Sequence, residues 1–188
     1  MNVLTPPPEA VADLLLQLVQ QDWPTTDEER RCSFARLGLQ DGDALPPGDA
    51  ETDSEMRRIA TSLPGVDGIS TMFRDEFLGL SLFCYDEPLD DGPAARAGHA
   101  GLRDEFDRRL GSPLEEWGPS NEPACLWESE SLLIELYCFQ RLRSGVMIGV
   151  SHAERSAAHT AAHDTRESAP GPVRPPGGSP LAPSGEGP

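Results

Sequence analysis

Three of the four histidines, His152, His159 and His163, stand seven and four residues apart, with Glu154 and Asp164 beside them. On a helix this spacing brings all three towards one face, and an i,i+4 histidine pair is a ligand geometry for zinc or nickel. The frame lacks the glutamate of an H-E-x-x-H site, and its host segment has no large apolar stripe. A solvated histidine set is the plainer reading, with a metal-binding protein as the sharper alternative. The cysteines Cys32, Cys84, Cys125 and Cys138 show no C-x-x-C spacing. Three of them fall inside apolar runs, where a thiol behaves as a small buried hydrophobe. A cysteine nucleophile would need a base, and only His99 lies between Cys84 and Cys138 in the chain.

Acid pairs recur at Asp75-Glu76, Asp90-Asp91 and Glu115-Glu116, all in segments that read as turns or loops. Carboxylates there are solvated rather than held as an acid–base couple. Asp41-Gly42-Asp43 is similar to the start of a calcium loop but lacks its full spacing and its closing bidentate glutamate. No Walker, dinucleotide or nucleophile-elbow motif occurs. None of the 188 residues is lysine, which excludes a P-loop lysine, Schiff-base chemistry and a kinase strand lysine. These observations predict a protein that is not an enzyme and needs no cofactor.

The formal charge is −17, and residues 1–150 hold 28 of the 32 acids and 12 of the 15 arginines. The acidity therefore belongs to the body of the protein. Such a field repels nucleic acid and anionic lipid and speeds encounter with cationic partners. The alternative is that it serves only solubility. The N-terminal residues hold three prolines and no basic region, and the apolar run Leu14–Val19 is too short to span a bilayer. The sequence thus predicts a cytoplasmic protein with reduced thiols and no membrane association.

The element pattern begins with a helix over Pro8–Gln21, striped by Val11, Leu14, Leu15 and Leu18. A second helix over Asp27–Leu37 opens on the capping box Thr26-x-x-Glu29. The loop from Gln40 to Asp53 precedes three strands, Arg57–Leu63, Gly68–Phe73 and Phe77–Tyr85. A helix over Ala94–Leu110 follows, with Leu102, Phe106 and Leu110 on one side and the i,i+4 pairs Asp104–Arg108 and Glu105–Arg109 on the other. Three more strands read as Ala124–Glu128, Leu132–Phe139 and Val146–Val150. The result is an α+β domain over residues 1–150: a mostly antiparallel sheet of about six strands, three plus three, carrying two N-terminal helices and one central helix. Residues 151–166 form a marginal Ala/His-rich helix behind the capping match Ser151-x-x-Glu154. The Pro/Gly-rich 167–188 forms a disordered tail.

Trp117, Trp127, Tyr137 and Phe139 gather on the second half of the sheet, around Glu135. Core packing accounts for them, but an exposed subset would make a partner surface. If Glu135 faces solvent, its face of the sheet is open. If it is buried, Arg58 or Arg141 must pair with it.

From Leu102 to Val150 the chain runs through a helix ending Leu-Gly-x-Pro, a linker, Trp127 and the strands LLIEL and SGVMIGV. This resembles small acidic actinobacterial proteins, some of which resemble immunity proteins of polymorphic toxin systems. The resemblance implies a non-enzymatic protein that binds and neutralises a toxin, a cationic one given the charge of this chain. The order of elements is also similar to that of acidic, dimeric secretion chaperones, which would imply binding of an exported protein.

Overall fold

A computed structural model describes residues 4–46, 53–88, 92–140 and 143–167. Helix α1 spans Pro8–Val19, with its prolines at the first turn and Val11, Leu15 and Leu18 buried. Helix α2, Asp27–Arg36, has both halves of the expected capping box between Thr26 and Glu29. The strands are β1 (Gln40–Ala44), β2 (Ser54–Ala60), β3 (Asp67–Phe73) and β4 (Glu76–Pro88), followed by helix α3 (Pro93–Leu110). Then come β5 (Glu115–Trp117), β6 (Ala124–Ser129), β7 (Leu132–Gln140), β8 (Arg143–His152) and helix α4 (Ala153–Glu167).

The class is α+β, as the pattern predicts, with eight strands among the described residues rather than six. They form one antiparallel sheet in the order β1-β2-β3-β4-β8-β7-β6-β5. The two additional strands are its edges. Every residue of Gln-Asp-Gly-Asp-Ala in β1 and Glu-Glu-Trp in β5 is exposed, so neither carries the alternation that marks a half-buried strand. Acidic edges of this kind also discourage edge-to-edge pairing with other chains. Strand β2 begins before Arg57 and stops at Ala60. There the Thr61 hydroxyl accepts from Leu63 N at 3.1 Å and donates to Val66 O at 2.8 Å, closing the turn.

Two helices and a four-stranded meander are followed by one helix and a second four-stranded meander, with the halves joined through β4 and β8. Helix α3 lies across β4, β8 and β7 and packs on α1, so both helices share one side of the sheet. That side takes Leu80, Leu82 and Cys84 from β4, Val146, Ile148 and Val150 from β8, and Leu132, Ile134, Leu136 and Cys138 from β7. Gly98 sets how closely α3 approaches, because a Cβ there would lie 2.1 Å from the Tyr85 ring. Tyr85 in turn donates to Pro6 O at 3.0 Å and ties the N-terminal segment down. Helix α2 covers the β1 end through Phe34, which meets Phe77 edge-on, and through Arg30, whose fork bonds Asp27 and Asp41.

On α3 the Glu105–Arg109 pair forms at 3.0 Å, but Asp104 and Arg108 make no pair among the described residues. Arg108 bonds Glu105 instead, and Arg109 also reaches Asp13 on α1. Glu105, half-buried where Asp104 is exposed, serves both arginines. The expected capping box of α4 does not form where predicted. Ser151 and His152 remain in β8, and the helix starts at Ala153, whose N–H donates to Ser131 O at 2.8 Å. The tail expected from residue 167 lies outside the described residues beyond Glu167.

Candidate protein-binding face

Side chains of a strand alternate between faces, so the covering of one face by α1 and α3 leaves the other to be read row by row. Cross-strand pairing aligns Ala60, Asp67, Phe83, Met147, Tyr137, Ala124 and Trp117 across the sheet. The next row on the same face holds Arg58, Ile69, Ser81, Gly149, Glu135, Leu126 and Glu115. Ile69, Phe83, Leu126, Glu135, Tyr137, Phe139 and Met147 are all half-buried, sunk among neighbours yet reachable. Helix α4 lies over one end of this face, where His159 meets the Phe73 ring edge-on at 5.1 Å and bonds Ser54 Oγ at 3.1 Å. The rest stays uncovered by any described element.

Of the predicted surface residues, Trp117, Glu135, Tyr137 and Phe139 come together here. Trp117 is 40% exposed and meets the Tyr137 ring edge-on at 5.5 Å. Tyr137 donates to Glu135 Oε1 at 3.1 Å. Burial, with the Glu135 charge adding to it, pushes the Tyr137 phenol up to about 12. Trp127 does not belong to the surface. It sits one register step away on the helix side, 1% exposed, tilted against Phe106 at 5.3 Å and donating to Gly111 O at 3.0 Å.

Glu135 faces away from the helices and is half-buried, and it has no cationic partner among the described residues. Arg58 lies in the same row but four strands away, about 19 Å at the usual strand spacing, beyond the reach of an arginine. Arg141 lies outside the described residues.

At the end of the sheet where β4, β7 and β8 meet, a cleft of about 950 Å³ runs from Phe83 and Phe139 on this face round to Tyr85 and Thr5 on the helix side. The Arg143–Asp86 pair at 2.8 Å and the exposed Asp67 stand at its rim. A groove of about 420 Å³ shares Asp67 and Phe83 with it and continues past Ile69, Ala60 and Leu45 to β1. Ile69, Phe83 and Met147 were not singled out in the sequence. Each follows from applying strict alternation to its strand once the helix side is known.

The groups with chemical potential are elsewhere. Cys84, Cys125 and Cys138 are buried, and burial pushes the Cys84 thiol up to about 12, the opposite of an activated nucleophile. His99 is buried on α3 with its Nε2 lacking a partner, and burial followed by the Arg103 charge holds it below its usual value. His159 and His163 meet edge-on with ring centres 4.7 Å apart, but His152 belongs to β8, so the three do not share a helix face. No group of three or more His, Cys, Asp or Glu with metal-holding geometry occurs among the described residues. Asp41 of the calcium-like run is engaged by Arg30 at 2.6 and 2.9 Å. No described helix is long and apolar enough to cross a membrane. No family model, curated protein or solved structure matches the chain.

Proposed function

We propose that this protein is a non-catalytic binding domain that seats another protein, a cationic one, on the uncovered face of its sheet. The single observation carrying this reading is the row Phe83–Met147–Tyr137–Trp117: apolar and aromatic, half-exposed, and without a covering layer. Large side chains of this kind supply most of the energy of protein interfaces. The charge of −16 on the body, 28 acids against 12 arginines over residues 1–150, supplies the steering field, and an acidic surface rejects acidic competitors. The immunity-like resemblance supports the same role, neutralisation of a cationic toxin in the cytoplasm.

The test replaces Phe83 with a photo-crosslinking phenylalanine analogue and uses Arg96, on the exposed side of α3, as the comparison site. The expected result is a basic protein captured through position 83 but not 96, with capture falling steeply as ionic strength passes about 0.5 M, where the screening length shrinks to a few ångströms. Equal capture from both positions, or capture of acidic proteins unaffected by salt, overturns the reading. Unfolded exported proteins captured at position 83 would select the secretion-chaperone alternative.

A further inference from the structure

At the centre of the uncovered face a small pocket of about 130 Å³ opens at the β7–β8–β4 seam and is capped by the first turn of α4. Glu135 supplies its carboxylate, and Thr71, Ser81, Ser151 and Ser156 surround it with hydroxyls. None of these four hydroxyls has a hydrogen-bond partner among the described residues. Among the described residues the Glu135 carboxylate accepts one hydrogen bond, from Tyr137 to Oε1. A half-buried carboxylate set among hydroxyls, each with acceptor lone pairs to offer, suits a cation that brings several donors.

Gly149 makes the pocket. It faces Glu135 across the β7–β8 pairing, and a Cβ there would stand 3.5 Å from Glu135 Oε2 and 4.0 Å from Ser81 Oγ, both ordinary contacts. The backbone therefore tolerates a side chain at 149, and its absence leaves space directly beside the carboxylate. The nearest described arginine on α4, Arg155, is turned away and bonds Pro24 O and Phe77 O at 2.9 and 2.7 Å.

We propose that this pocket is the anchor subsite for an arginine side chain of the partner, its guanidinium on Glu135 and its remaining donors on the hydroxyl ring. A guanidinium is planar, carries five donors and accepts nothing, which matches a pocket made of one carboxylate and hydroxyl oxygens. Its stem would leave across Met147 and Tyr137, where a planar cation or alkyl chain packs well. This inference rests on the reading of the face as a cationic-protein surface.

The test follows amide shifts in the intact protein on adding an octa-arginine peptide, then N-acetyl-arginine amide and its neutral isostere N-acetyl-citrulline amide. Expected are shifts of the Gly149 and Ser81 amides with both arginine probes and none with citrulline. Glu135→Gln and Gly149→Val should each weaken octa-arginine about tenfold, as removal of one partner of a desolvated pair does. Asp104→Asn, an exposed acid on α3 on the other side of the sheet, should leave affinity within about twofold, since an exposed charge contributes little. Octa-arginine binding that is lost no more in Glu135→Gln than in Asp104→Asn overturns the subsite and leaves the cationic surface standing. Absence of octa-arginine binding to the wild type at low salt overturns both.

Discussion

The Tyr137 hydroxyl and the Glu135 carboxylate, two residues apart on one strand face, are joined at 3.1 Å, and the edge of the Tyr137 ring packs against Trp117. Because strand neighbours at i and i+2 point the same way, this bond is local and survives changes elsewhere in the sheet. It leaves Oε2 on the Gly149 side, with no hydrogen bond to it among the described residues.

Spectrophotometric titration reads this contact directly, since Tyr85 and Tyr137 are the two tyrosines. In Tyr85→Phe, the Tyr137 phenol should ionise near the value of about 12 to which burial and Glu135 push it. Adding Glu135→Gln should lower that midpoint by removing the neighbouring charge. The neutral phenol is the form the fold favours, so its contribution is complete below pH 10, the ordinary value, and fades as pH rises from there towards 12. A midpoint unmoved by Glu135→Gln would contradict the contact.

Arg30 is 0% exposed, yet it bonds Asp27 and Asp41 and lies over the Phe34 ring at 4.9 Å. It is the clamp between α2 and the edge strand β1. Arg30→Ala should cost about 3 kcal/mol, from lost packing and from two carboxylates left facing each other. Chemical denaturation gives the loss, and hydrogen exchange should place it first in β1. Asp41→Asn, which leaves Asp27 in place, should cost less.

Acid should destabilise the protein partly through His99. Burial, reinforced by Arg103, holds this ring below its usual 6.5, so the folded state favours the neutral form. Its contribution is complete above pH 6.5 and is lost as pH falls below it, at up to about 1.4 kcal/mol per pH unit. Urea midpoints at pH 7.5 and 5.5 should separate more in the wild type than in His99→Leu. Equal separations would remove His99 as the cause; His159, lowered by burial and by His163, acts in the same direction.

Helix α4 lacks a large apolar stripe, and Arg155 does what the stripe would have done. Its guanidinium bonds Pro24 O and Phe77 O and reaches Glu76 at 3.3 Å. Arg155→Ala should release α4, lowering helical circular dichroism and speeding its hydrogen exchange, while the free energy of global unfolding falls by only about 1–2 kcal/mol. A cooperative loss of the whole fold would show that α4 belongs to the core.

Much of the architecture was legible in local pattern. The capping box at Thr26 and Glu29, the stripe of α1, the apolar run of β4, the alternation of β7 and the stop after Leu110 each depend on near neighbours in the chain, which sequence spacing encodes. The edge strands β1 and β5 were not legible, because exposed acidic residues carry no burial signal and take strand form only from the hydrogen bonds their neighbours offer. The helical continuation after Ser151 was visible as a weak tendency, but its anchor, Arg155 on Phe77 O, spans 78 residues.

The candidate face divides the same way. The sequence by itself determined that Glu135, Tyr137 and Phe139 share one side of a strand, because side-chain alternation is a property of the backbone. Only the tertiary structure decided which side the helices cover. That choice buried Trp127 against Phe106, left Trp117 at the rim, and brought Thr71, Ser81, Ser151 and Ser156 around Glu135 from four other elements. Such a convergence depends on strand order and register, set by the joining of two meanders through β4 and β8, and no spacing along one chain records it.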